Sequence, residues 1–206
     1  MCRTELPVLG SGVVRERADA ARNRLRVLRA AERLFAERGV ARVTMDDVAA
    51  AAGVGKGTLY RRFTDKGGLA VALLDERERE LQGLILSGPP PLGPGADPAA
   101  RLTAFVEALL AFVDRQLDLV LMSETSSVGA RMRTGAYGFW RQHCTYLLQQ
   151  AGTPDPGLRS TALLAAMSAE QVRHWLRVEQ HQLPELTAAI GNLARDLTAR
   201  PGVTVL

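Results

Sequence analysis

The chain has 206 residues, 47% of them hydrophobic and 23% charged. That balance fits one ordinary globular domain or two small ones, and excludes collagen-like, largely disordered and disulfide-stapled classes. The net charge of +4 is uneven: residues 15–68 hold 13 Lys and Arg against 7 Asp and Glu, whereas residues 69–206 hold 12 against 14. A basic quarter on a mildly acidic body points to a polyanion at one end, either nucleic acid or an anionic membrane surface.

Residues 1–20 mix Pro7, Gly10, Ser11, Gly12 and charges without a period, which predicts a mobile basic tail with structure beginning near Ala21. Val27, Leu28, Ala31, Leu34 and Phe35 then form an apolar stripe of helical period, while Arg22, Arg26, Arg29 and Arg33 line a separate face. That face reads either as solvated surface or as phosphate contact, for which Arg22 and Arg24 are the best placed. Gly39 ends this helix, Thr44 and Asp47 open a short one over 45–52 as a capping box, and Gly53 breaks it. A third short helix spans 56–63, and Thr64-Asp65 opens a long one over 66–86.

Half of the chain's ten prolines lie between residues 89 and 98, so 88–95 must be a loop. Asp97-Pro98 caps the next helix, on which Leu102, Phe105, Leu109 and Phe112 share a face, and helical patterns follow at 118–126, 128–151, 156–181 and 185–199. No alternating run reads as a strand. The expected fold is all-α, with a tail over 1–20, a three-helix DNA-binding unit over 21–66, and a helical ligand-binding and dimerisation domain over 67–206.

The stretch 43–69 reads VTMDDVAAAAGVGKGTLYRRFTDKGGL. Short helix, glycine turn and second short helix make a helix-turn-helix, with Ala49 small enough for a close crossing and Val48, Val54 and Leu59 facing inward. An N-terminal helix tip in a major groove would present Lys56, Gly57 and Thr58 to base edges, with Lys56 suited to guanine O6 and N7. Tyr60, Arg61, Arg62 and Lys66 surround that tip, where hydroxyl and cationic groups hold phosphates.

At these residues the chain resembles the TetR family of transcriptional regulators, over 22–69, about a quarter of its length. The resemblance implies phosphate contacts by Thr44, Tyr60 and Lys66, base reading by Lys56, Gly57 and Thr58, and a variable helical body that dimerises and binds a small effector. Three departures from the family pattern stand out: Gly55 in place of a serine cap, Arg62 in place of histidine, and Gly67-Gly68, which weakens the start of the long helix and suggests a compliant junction.

In the body, a ligand pocket is expected from Phe105, Leu109, Phe112, Met122, Tyr137, Trp140, Cys144, Met167, Gln171, His174 and Trp175, a set rich in aromatic and sulfur side chains. Only Gln171, His143, His174 and Glu124 are near to orient a polar group, which disfavours charged ligands. The same stripes would equally make an ordinary core. The alternating run Glu76-Arg77-Glu78-Arg79-Glu80 reads as exposed surface without function. Leu163, Ala166, Leu186, Ile190 and Leu193 are the expected dimer seam. His174 and His181 are seven apart, a poor metal spacing, and Cys144 beside His143 makes no catalytic pair.

Cys2 and Cys144 form no CxxC or zinc spacing, no early apolar run reads as a signal peptide, and no stretch approaches the ~18 apolar residues of a membrane span. A cytoplasmic protein with no cofactor or metal and no membrane partner is expected. The functional expectation is a homodimeric, non-enzymatic regulator, most simply a repressor released from a palindromic operator in double-stranded DNA by a small apolar or amphipathic effector. An effector-independent architectural DNA binder and an enzyme with its active site in the helical body are the alternatives.

Overall fold

The computed structural model describes the backbone from Ser11 to Ala199 and side chains from Ala20 onward. The described residues are helical, with no strand among them, and divide into two compact units, one ending at Leu69 and the other beginning at Ala70.

The first unit opens with α1, Ser11–Arg38. It starts ten residues before the expected Ala21, because Arg15, Glu16, Arg17, Ala18 and Ala20 are good helix formers that extend an established helix at little cost. The first ten residues of the expected tail lie outside the described residues. Gly39, at φ 77°, ends α1 and leads into a single 3₁₀ turn, Val40–Arg42. Helices α2, Met45–Ala52, and α3, Lys56–Phe63, follow with the expected bounds. Val27, Ala31, Leu34, Val48, Ala49, Leu59 and Phe63 close this unit's core.

Helix α4, Lys66–Ser87, begins within the first unit. Its entry is tight rather than compliant. Thr64 sits at φ 59°, Asp65 accepts the Gly68 amide at 2.7 Å, and a Cβ on Gly68 would lie 2.1 Å from the Phe63 carbonyl oxygen. Gly68 is therefore there for backbone clearance, which replaces the expectation of a soft junction.

In the second unit, α5, Pro98–Arg115, is capped by Asp97 and buries Leu102, Phe105, Val106, Leu109, Leu110, Phe112 and Val113. Apolar residues on more than one side of α5 require cover on more than one side. It receives α6 (Leu117–Thr125), α8 (Gly135–Gln150), α10 (Ala169–Arg177) and α11 (Leu183–Thr198). Two expected helices are each broken in two. The pattern over 128–151 becomes α7, Ala130–Arg133, and α8, because Thr134 adopts an extended backbone and accepts the Tyr137 amide. The pattern over 156–181 becomes α9, Pro156–Ala166, and α10, because Ser168 caps α10 by accepting the Gln171 amide.

The expected dimer seam changes with this packing. Leu163 and Ile190 belong to the protomer's own core, Leu186 is buried and Ala166 packs against that core, so only Leu193 is left exposed. The apolar stripes of α9 and α11 face inward. Exposed apolar side chains on α9 to α11 are instead Leu158, Val178 and Leu193, with Val178 capping α10.

Candidate functional site

Helix α3 is presented by local chemistry that is complete within the first unit. Thr44 accepts the Asp47 amide, and the Asp47 carboxylate accepts both the Thr44 amide at 2.8 Å and its hydroxyl at 2.7 Å. These bonds hold the Asp47 carboxyl below the usual carboxylate range. Gly53 turns the chain at φ 62°, and Arg26 of α1 donates to the carbonyls of Ala52 at 2.6 Å and Gly53 at 3.1 Å. Arg26 thus closes the open end of α2, a role its place in an arginine stripe did not reveal.

With Leu59 and Phe63 buried, Lys56, Gly57, Thr58, Tyr60, Arg61 and Arg62 are left exposed on one helix. A Cβ on Gly57 would meet nothing within 4 Å, so no packing inside the unit requires a glycine there. Lys56 Nζ lies 2.5 Å from the Asp46 carboxylate, and that hydrogen bond and charge hold the ammonium pKa above its ordinary value. Arg22 is exposed, while Arg24 is half-buried and borders a shallow cavity with Thr58 and Arg62.

Lys66 has a different use from the expected phosphate grip. Its ammonium donates to the carbonyls of Val40 and Val43, both at 2.9 Å, and reaches Ala41 at 3.4 Å. Its donors satisfy the 3₁₀ turn and the lead into α2, tying the start of α4 to both. Lys66→Met keeps the stem and removes these bonds. It should lower the stability of the free protein by about 1–3 kcal/mol in denaturant titration. A lysine that served DNA alone would leave that titration unchanged.

In the second unit, a cavity of about 30 Å³ is lined by Leu109, Phe112, Tyr137, Trp140 and Met167 of the expected ligand set, together with Glu78, Glu124 and Arg131. Arg131 Nε lies 2.7 Å from Glu124 Oε1, the other oxygen of Glu124 accepts the Ala169 amide at 2.8 Å, and the guanidinium sits 4.9 Å above the Tyr137 ring. Burial pushes the Glu78 carboxyl up to about 7, with Asp75 adding to the shift. A half-open groove of about 350 Å³ shares Phe112 with this cavity and runs past Arg77, Leu81, Leu84, Leu92 and Ala108.

The rest of the expected ligand set lies off the cavity. Phe105 and Cys144 are fully buried core, with the Cys144 thiol pushed up by burial out of the reactive range. Met122, Gln171 and Trp175 are only partly buried and do not reach it. His174 is corrected outright: it is exposed on α10, 3.0 Å from Glu179, because α10 turns its polar face to solvent. The enclosed histidine is His143, edge-on to Phe105 and stacked on Phe139, its pKa lowered to about 4 by burial and by Arg101.

Comparison with known proteins places the first unit. The family described as "Bacterial regulatory proteins, tetR family" matches residues 27–73. Residues 27–73, from within α1 to the first turns of α4, therefore carry the tetR-type pattern. The regulator TtgR of Pseudomonas putida is 46% identical over 63 residues, 31% of this chain and 30% of that protein, so the match spans about a third of the relative's length. Over the whole fold the chain is similar to Thermus thermophilus FadR, a TetR-family transcriptional repressor in complex with lauroyl-CoA, with TM-score 0.64, 20% identity and coverage of 89% of this chain and 98% of that one. A TetR-family regulator from Syntrophomonas wolfei aligns equally well, with TM-score 0.64, 16% identity and coverage of 90% and 99%.

The tetR-type unit owes its geometry to roles that the sequence pattern does not reveal: Asp46 against Lys56, Arg26 on the carbonyls that end α2, and the carbonyls beneath Lys66. For Glu78 a signal did exist. Leu74, Glu78, Leu81 and Ile85 recur at helical spacing, and the three apolar members are buried.

Proposed function

We propose that the chain is a homodimeric, DNA-binding transcriptional regulator, a repressor released from a palindromic operator by a small apolar or amphipathic effector and acting in the cytoplasm. The observation that carries this reading is the exposed tip of α3, where Lys56, Gly57, Thr58 and Tyr60 stand clear of a buried Leu59 and Phe63, directly after a helix α2 whose two ends are held by the Thr44 and Arg26 bonds. A helix tip of this kind enters a major groove. Thr44, Tyr60, Arg61 and Arg62, with Arg22 and Arg24 of α1, are the proposed phosphate contacts. Lys56 exchanges Asp46 for a base edge. The lauroyl-CoA complex of the FadR neighbour supports an amphipathic effector in this fold. The aromatic cavity of the second unit is the site proposed for it.

The test is selection on a random duplex library at two salt concentrations. Wild type should enrich a two-fold symmetric sequence and lose affinity steeply with salt. Lys56→Ala should cost about 1–3 kcal/mol on that sequence and relax one position in each half-site. An unchanged preference in Lys56→Ala overturns the assignment of the reader. A flat preference in wild type favours the architectural alternative.

A further inference from the structure

The cavity in the second unit carries its own statement about charge. Three acidic or basic side chains line it, and two of them close on each other: Arg131 with Glu124 at 2.7 Å, the guanidinium also donating to the Leu164 carbonyl at 2.5 Å and covering the Tyr137 ring. Glu124 is completed by the Ala169 amide. Glu78 is left over. Among the described residues it makes no hydrogen bond or ion pair, although it lines a wall shared with Phe112, Tyr137, Trp140 and Met167. The charged groups facing it are Asp75 and Arg79 on α4, Glu124 on α6 and Arg131 on α7.

We infer that the second unit binds a monovalent organic cation, an aryl or alkyl ammonium, with Glu78 as counter-ion and the aromatic side chains as the cage around the charged head. The inference rests on the reading of this cavity as the effector site and reverses the expectation of an uncharged ligand. Ring faces carry negative potential, so they attract an ammonium and repel a carboxylate, and the unpaired carboxylate acts in the same sense. Arg131 over Tyr137 already shows one cation held against this wall. A neutral ligand would leave a half-buried carboxylate uncompensated, and an anion would add to it.

Space comes from Phe112. The cavity of about 30 Å³ holds a single water, but Phe112 also lines the groove of about 350 Å³ beside it. A change of the Phe112 rotamer joins the two into a volume of the size that binds small ligands. The groove then takes the apolar part of the ligand, between Leu81, Leu84, Leu92 and Ala108, while Arg77, Glu80, Arg115 and Gln116 complete its lining, so the charged head stays on the Glu78 side.

The experiment uses the full chain and two probes of one shape, phenyltrimethylammonium and tert-butylbenzene, which differ by a single charge. Calorimetry should find the ammonium bound at least roughly tenfold more tightly than the hydrocarbon, by the attraction of a desolvated cation to aromatic faces and a carboxylate. Glu78→Gln should cut that preference to the part that the ring faces supply, while keeping the hydrocarbon affinity. Because the Glu78 carboxyl sits at about 7, ammonium affinity should rise roughly tenfold from pH 6 to pH 8 in wild type and stay level in Glu78→Gln. Equal binding of the two probes, binding of neither, or a preference that Glu78→Gln leaves undiminished overturns the proposal. Operator binding by the unliganded protein is measured alongside. A chain that binds DNA but ignores charge sinks this inference and leaves the regulator reading intact.

Discussion

Arg131→Met should destabilise the second unit by about 3–5 kcal/mol, the cost of leaving a buried carboxylate without its cation. Both partners of the Arg131–Glu124 pair are 14% exposed, so water cannot take over the missing role. Methionine preserves the stem and can rest on the Tyr137 ring, which limits the loss of packing. The Ala169 amide still reaches Glu124, but one hydrogen bond does not neutralise a charge. The double variant Arg131→Met, Glu124→Gln removes charge and counter-charge together and should recover most of the loss. Urea titrations of the two single variants and the double variant give the coupling directly. Additive losses would mean that the pair contributes nothing and that Arg131 acts through shape alone.

Phe105→Ala is the second large effect. Phe105 is fully buried at the centre of α5, with its ring 5.8 Å from Trp140 and 5.4 Å from His143. Removing it forfeits transfer energy and leaves a cavity, together about 3–5 kcal/mol at pH 7.5. The same side chain helps keep water from His143, whose Nε2 has no hydrogen-bond partner. The folded state keeps that imidazole neutral down to about pH 4, while the unfolded chain takes its proton near 6.5, so stability is lost as pH falls through that window. The shift corresponds to ~3 kcal/mol in wild type. Glu78 slopes the opposite way between 4.5 and about 7, since there the folded state holds the extra proton, and the comparison is therefore made in a Glu78→Gln background. In that background wild-type Phe105 should show the acid loss, and Phe105→Ala, with water admitted, a shallower one. Parallel pH profiles would show that Phe105 does not shield His143.

What the sequence revealed divides along the range of the interactions involved. Helices α2 and α3, the Thr44 cap and the Gly53 turn are set by residues within a few positions of each other, and a linear pattern carries such information well. The cavity is assembled from α4, α5, α6, α7 and α8, so membership depends on how stripes pair in space. Aromatic enrichment found Phe112, Tyr137 and Trp140. It could not separate them from Phe105, whose composition and periodicity are the same and whose place is core. A continuous helix over 156–181 puts His174 on the pocket side, whereas the break at Ser168 resets which face of α10 points inward and leaves His174 in solvent. Glu78 was hidden by its neighbours, since an alternating charge run looks solvated unless the flanking Leu74 and Leu81 are counted with it. Leu163, Leu186 and Ile190 leave the expected seam for a related reason: a single apolar stripe does not say whether it closes on its own protomer or on a second copy.

The Gly68 clearance has an implication for sequence change. By helix propensity alone, replacing Gly68 with alanine would look like a gain of ~1 kcal/mol. The carbonyl that forbids it belongs to Phe63, the last residue of α3, so the end of one helix and the beginning of the next cannot vary independently. A side chain at position 68 of this chain needs a shifted exit from the helix that carries Lys56 and Tyr60. An apparently weak residue thus acts as a spacer between the end of α3 and the start of α4.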